Sequence, residues 1–155
     1  MEKTKRIGLV AHDNLKGNLA EWVEFNYQTL AAWQLVCTGT TGRIVEQALQ
    51  KMMGQHNVNL PINITKLSSG PLGGDQQLGA MITEGKIDIL IFFWDPMMPQ
   101  PHDVDVKALL RLSVLYNIPT ASNRSTADFL ISSPLFAKDY QRKMTDFSAH
   151  TGRQV

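Results

Sequence analysis

Residues Ile87–Phe93 read IDILIFF, seven residues with Asp88 as the only polar one. A strand with one face in water alternates apolar and polar residues, so a run this apolar needs cover on both faces. Parallel sheets provide that cover, because each crossover between parallel neighbours lays a helix on one face. The rest of the chain supplies the parts. Arg6–Ala11, Leu35–Cys37, Ile62–Leu67, Ile87–Phe93 and Ile118–Ala121 are predicted strands, rich in β-branched and aromatic residues. Between them lie stripes of helical period: Leu15, Leu19, Trp22 and Val23; Leu78, Met81 and Ile82; Val104, Ala108, Leu112 and Leu115. Asp13 and Asp103 are predicted N-caps. The alternation predicts an α/β three-layer sandwich around a mainly parallel five-stranded sheet, of flavodoxin/Rossmann-like topology.

With 155 residues, 43% of them hydrophobic, the chain fits one domain spanning 1–155, with its core in 6–130 and an unpatterned tail at 134–155. Gly54–Pro61 reads as an internal loop. Fifteen basic residues against fourteen acidic ones leave a net charge of +1, without the basic excess that nucleic-acid binding requires. The only apolar run near the N-terminus, Ile7–Ala11, is too short for a signal core or a membrane span. The single cysteine, Cys37, cannot pair internally, which points to a reducing, cytoplasmic setting.

Open α/β sheets bind ligands beyond the carboxyl ends of their strands, and this chain's unusual polar residues collect there. His12-Asp13-Asn14-Leu15-Lys16 follows the first strand and Thr38-Gly39-Thr40-Thr41-Gly42 the second. Ser68 to Gln77, containing GPLGGDQQ, follows the third. Trp94-Asp95-Pro96, running on to Pro101-His102-Asp103, follows the fourth.

Thr38–Gly42 is a loop of small hydroxylated residues opening a helix, a fitting phosphate cradle to which Lys16 adds a full charge. Such turns are common on their own, and the loop lacks the Gly-Lys-Ser/Thr ending of a nucleotide-phosphate loop. No Gly-x-Gly-x-x-Gly fingerprint follows the first strand either. Asp75 falls at the start of a helix, where an aspartate is ordinarily a cap; beside a phosphate loop a fixed carboxylate is a candidate general base. His12 and His102 bring two imidazoles to the same edge, suited to polarising a carbonyl oxygen. Asp95 is expected to cap its turn or to orient His102, and Met97 and Met98 to be packing residues. Zinc-ligand spacing is absent: there is no His-x-x-x-His and no second cysteine.

Taken together, LVAHD at Leu9–Asp13 with Lys16, TGTTG, SGPLGGDQQLGA at Ser69–Ala80, EGKIDILIFFWDPM at Glu84–Met97, PHDVDVKALLRL at Pro101–Leu112 and NIPTASNRSTADF at Asn117–Phe129 resemble the methylglyoxal synthase family. The resemblance runs through most of residues 6–130. It implies a conversion of dihydroxyacetone phosphate to methylglyoxal and inorganic phosphate without metal or cofactor. It implies Asp75 as the base that forms an enediol(ate) phosphate, and His102 as a group handling protons on the substrate oxygens. It further implies substrate and phosphate contacts from His12, Lys16, Thr38, Gly39, Thr40, Thr41, Ser69 and Gly70, with supporting roles for Asp13, Asp95 and Asp105. A homohexamer and inhibition by phosphate are implied as well.

Two departures from the family pattern stand out: a longer segment between Arg43 and Ser68, and a shorter tail from Pro134 onward without an apolar strand. A C-terminal arginine that reaches a neighbouring subunit's phosphate in the family has Arg142 and Arg153 as candidates here. The same fold also serves as an effector-binding module in carbamoyl phosphate synthetase, an alternative that would not need Asp75 and His102 together. A signalling receiver domain would instead need an aspartate ending the third strand, where this chain has Leu67-Ser68-Ser69.

Overall fold

A computed structural model describes residues 4–151. Five strands, β1 (Arg6–Ala11), β2 (Gln34–Cys37), β3 (Ile64–Lys66), β4 (Ile89–Phe93) and β5 (Thr120–Ala121), form one sheet. Its order is β3-β2-β1-β4-β5, and every pair is parallel. The helices are α1 (Lys16–Phe25), α2 (Tyr27–Ala31), α3 (Gly39–Gln55), α4 (Gly74–Thr83), α5 (Asp103–Leu115), α6 (Arg124–Ser132) and a short α7 (Ser148–Thr151). Single turns of 3-10 helix sit at Asp13–Leu15 and Gly70–Leu72.

The apolar run works as its composition demands. Successive side chains of a strand point to opposite faces. Ile89, Ile91 and Phe93 of β4 therefore pack with Leu19, Trp22 and Val23 of α1 and Val45 and Leu49 of α3. Leu90 and Phe92 face the other way, onto Leu78 and Ile82 of α4 and Val106 and Leu109 of α5. All five β4 residues are buried, and each large side chain buried so completely contributes roughly 1.5–3 kcal/mol. Ile87 and Asp88 precede the strand; Asp88 instead accepts a hydrogen bond from the Arg6 backbone N–H at 2.9 Å.

Several local expectations are corrected. Of the stripe Val104, Ala108, Leu112 and Leu115, only Leu112 packs against the core: Val104 is 80% exposed, whereas Val106, Leu109 and Ser113 are buried. Apolar residues stand on both sides of α5, so a period of 3.6 is satisfied by either face. Asp13 and Asp103 lie inside their first turns, with His12 and His102 in the cap positions; there they favour the positive end of the helix without capping it. Met97 is 84% exposed and packs into no core. Gly54 and Gln55 belong to α3, and the loop begins at His56, whose ring stacks on Tyr27 at 5.5 Å.

Candidate active site

The strand order turns back between β1 and β4, and the loops leaving these two strands part in opposite directions. Such a reversal opens a crevice beyond the carboxyl edge. A cleft of about 250 Å³ lies there. A larger cavity, of about 510 Å³, opens at the opposite edge among Ile89, Pro119, Leu130 and Phe136; of the residues singled out in the sequence only Arg142 lines it.

One wall of the cleft is the start of α3. Thr38 occupies the cap position, and Thr38 and Thr41 are buried. Gly39 has φ +45°, and a Cβ there would stand 2.7 Å from the Ser69 Cα, so this position requires glycine. The tight approach lets the Gly39 N–H donate to the carbonyls of Leu67 and Ser68, at 3.1 and 3.0 Å. Lys16 Nζ bridges the Thr40 hydroxyl and the Asp13 carboxylate, each at 2.6 Å. A lysine charge thus sits at the N-terminus of a 17-residue helix, where the helix dipole also favours an anion. Asp13 itself points to solvent, and its bond to Lys16 holds its carboxyl below the usual carboxylate range.

The facing wall is built by GPLGGD. Pro71 sits in the 3-10 turn Gly70–Leu72, and Gly73 reverses the chain with φ +101°. A Cβ on Gly74 would lie 1.9 Å from the Ser68 carbonyl oxygen. This close backbone packing delivers Asp75 into the first turn of α4, only 2% exposed. Neither of its carboxylate oxygens has a hydrogen-bond partner among the described residues, so Asp75 is not a helix cap. Burial pushes its carboxyl above the usual carboxylate range; the His102 ring opposes this and Asp105 adds to it.

His102 Nε2 stands 3.6 Å from Asp75 Oδ2. The ring is admitted because residue 70 is glycine: a Cβ would meet Nε2 at 2.6 Å. The His12 ring lies edge-on to it, with centroids 5.8 Å apart. Burial, then the neighbouring His102, lowers the His12 pKa below the ordinary imidazole range. Asp95 does not orient His102. Its carboxylate caps its own turn by accepting the Met97 N–H at 3.0 Å, and its backbone N–H donates to His12 Nδ1 at 3.0 Å. Asp105 accepts from Gln76 Nε2 at 3.0 Å, joining the first turns of α4 and α5.

The structure therefore sets His12, Lys16, Thr38, Gly39, Thr40, Thr41, Ser69, Gly70, Asp75 and His102 around one cleft. Asp13 is at its rim, while Asp95 and Asp105 stand behind it. Gln100 and Pro71 also line it. Sequence reasoning passed over Gln100, which sits between two prolines with no motif to mark it, and passed over Asn14 and Gln76 although both lie within polar strand-end segments. Arg142 donates to the Tyr116 carbonyl at 2.8 Å, and Arg153 lies outside the described residues. Among the described residues no group of three or more His, Cys, Asp or Glu is arranged to hold a metal ion. The buried Cys37 thiol is pushed up to about 12 by desolvation, which makes it a packing residue and not a nucleophile.

A family profile described as an MGS-like domain matches residues 18–122. A methylglyoxal synthase from Maridesulfovibrio salexigens is 61% identical, with all of both chains covered. One from Oleidesulfovibrio alaskensis is 50% identical over 99% of this chain and 97% of its own. One from Proteus mirabilis is 52% identical over 94% and 89%. The crystal structure of methylglyoxal synthase from Elizabethkingia anophelis superposes with a TM-score of 0.85 at 44% identity, covering 100% of this chain and 95% of that one. Identity at this level, over the whole length and on the same fold, means that the chain belongs to the methylglyoxal synthase family of lyases.

Proposed function

We propose that this protein, acting as a single domain, converts dihydroxyacetone phosphate into methylglyoxal and inorganic phosphate, with Asp75 as the general base. The observation that carries the reading is the carboxylate of Asp75: buried, without a hydrogen-bond partner among the described residues, and opposite a cationic, hydroxyl-rich helix N-terminus. Burial makes such a carboxylate more basic than an exposed one, which suits it to take a proton from a carbon whose phosphate rests on the facing helix.

In this reading the phosphate rests against Thr38 to Thr41, Lys16, Ser69 and Gly70. Asp75 takes a proton from the hydroxymethyl carbon, and the released electron pair forms the enediolate double bond. His12 and His102 donate hydrogen bonds to the oxygens on which charge develops, a contribution that rises with charge and so favours the transition state. The terminal hydroxyl then gives up its proton and becomes an aldehyde. The double bond shifts one carbon along, and the carbon–oxygen bond breaks with its electrons leaving on phosphate. The remaining enol takes a proton on carbon to give methylglyoxal.

Purified protein incubated with dihydroxyacetone phosphate is expected to release methylglyoxal and phosphate in equal amounts. A folded, phosphate-binding protein that yields neither product overturns the reading. Lys16→Ala should raise KM and weaken phosphate inhibition by roughly tenfold or more, as for the ~1.5–3 kcal/mol of a charged hydrogen bond; unchanged phosphate inhibition would remove Lys16 from the cradle. His102→Gln should lower kcat by ~10²-fold while KM moves far less. A defect confined to KM would make His102 a binding group only.

The reading extends to a homohexamer inhibited by its product phosphate and working in the cytoplasm. No helix among the described residues is long and apolar enough to cross a membrane.

A further inference from the structure

The two ring nitrogens of His12 lie in different surroundings. Nδ1 accepts the backbone N–H of Asp95 at 3.0 Å. An amide N–H only donates, so Nδ1 presents its lone pair, and in a neutral imidazole the proton is then on Nε2. Nε2 is buried without a hydrogen-bond partner among the described residues, on a side chain that lines the cleft.

The donor amide is itself held in place. Asp95 Oδ1 accepts the Met97 N–H, and Oδ2 accepts the side-chain amide of Asn14, each at 3.0 Å. Asn14 follows His12 by two residues, so its bond ties the loop after β1 to the loop after β4. The His12 backbone N–H closes the circuit by donating to the Phe93 carbonyl at 3.1 Å. Ring, amide and both loops are thus fixed to one another across the point where the strand order reverses.

We propose that Asn14, acting through the Asp95 turn, is a positioning residue that holds His12 as the Nε2–H tautomer, a neutral donor aimed at a substrate oxygen in the cleft. The target of that donor rests on the lyase reading above; the tautomer does not. Protonating His12 would set an Nδ1–H against the Asp95 N–H, two donors face to face, so the clamp works against the imidazolium. Burial and His102 act in the same direction, while the carboxylates of Asp95, Asp103 and Asp13 oppose it. A neutral imidazole is a competent electrophile towards a carbonyl that becomes an enediolate.

The test combines long-range proton–nitrogen spectra of imidazole-labelled protein with steady-state kinetics for wild type, Asn14→Ala and Asn14→Asp. His12 signals are assigned by their loss in His12→Gln. Wild type is expected to show Nδ1 unprotonated and Nε2 protonated at neutral pH. In Asn14→Ala the other tautomer or the imidazolium should appear, and kcat should fall about tenfold with KM little changed. Asn14→Asp, which sets carboxylate against carboxylate, should do the same more strongly. An Nδ1–H tautomer or an imidazolium in wild type overturns the proposal. So does a loss of kcat in both variants with His12 signals unchanged, or unchanged kcat in both. Asn14 is exposed, and thermal midpoints would separate misfolding from mispositioning. If wild type releases no methylglyoxal, the lyase reading fails, while the nitrogen signals still decide the tautomer.

Discussion

Asp75→Asn is expected to lower kcat by at least ~10²-fold, the lower range for loss of a general base, and at the same time to raise the thermal midpoint at neutral pH. Both effects have one source. The carboxylate is buried beside His102 and accepts no hydrogen bond among the described residues, so the folded protein holds a poorly solvated charge. An amide of the same shape keeps the packing and loses both the charge and the basicity. The pH dependence has a defined sign. Burial raises the Asp75 carboxyl above its ordinary 3.8, so between that value and the raised one the folded state binds more protons than the unfolded state. Stability from this group therefore falls as pH rises through the window, and is regained on acidification. Thermal midpoints of wild type and variant should accordingly converge as pH is lowered. Near-normal turnover in the variant would remove Asp75 from the mechanism. A lower midpoint at neutral pH would show that the carboxylate has stabilising partners.

The second large effect is expected at a residue that touches no substrate. Gly74→Ala places a Cβ 1.9 Å from the Ser68 carbonyl oxygen, 2.9 Å from the Ser68 carbonyl carbon and 3.0 Å from that of Ser69. All three are backbone atoms, so no side-chain rotation relieves the contact. The loop carrying Ser69 and Gly70 has to move away from α4, which takes that part of the cleft wall away from Asp75. Forcing atoms into a packed site costs ~1–3 kcal/mol or more, several degrees in midpoint for a chain of this size. Turnover should fall more than tenfold, since a displacement of about 1 Å in a reacting geometry can cost ~10²-fold. Gly54→Ala is the comparison. It lies in α3 with nothing within 4 Å of the added carbon, and should be neutral or stabilising by up to ~1 kcal/mol. Equal behaviour of the two variants would show that the Ser68–Gly74 contact does not hold the site together.

Much of this was legible in the residues. Short, nearly continuous apolar runs mark strands covered on both faces, and β1 falls at Arg6–Ala11 as predicted. Edge strands were less legible. β3 covers only Ile64–Lys66, with two of its three residues exposed, because an edge strand has one neighbour and its ends are free to leave the ladder. The motifs TGTTG and GPLGGD stood out in the sequence, but that Gly39 closes onto Ser69 and Gly74 onto Ser68 is set only by the tertiary structure.

The sequence alone determined the alternation of strand and helix, the crowding of polar residues at one sheet edge, and the identity of the family. All three depend on local spacing or on residue type. Tertiary structure decided the rest. It chose the buried face of α5, where apolar residues on both sides satisfied the same period and only the packing partners α4 and the sheet could discriminate. It gave Asp95 to His12, 83 positions away in the chain, and not to His102. It also left the Asp75 carboxylate buried without a hydrogen-bond partner among the described residues, where a helix cap would have been satisfied. Each of these is set by what stands opposite a side chain in space, and contacts between distant residues leave no trace in local periodicity.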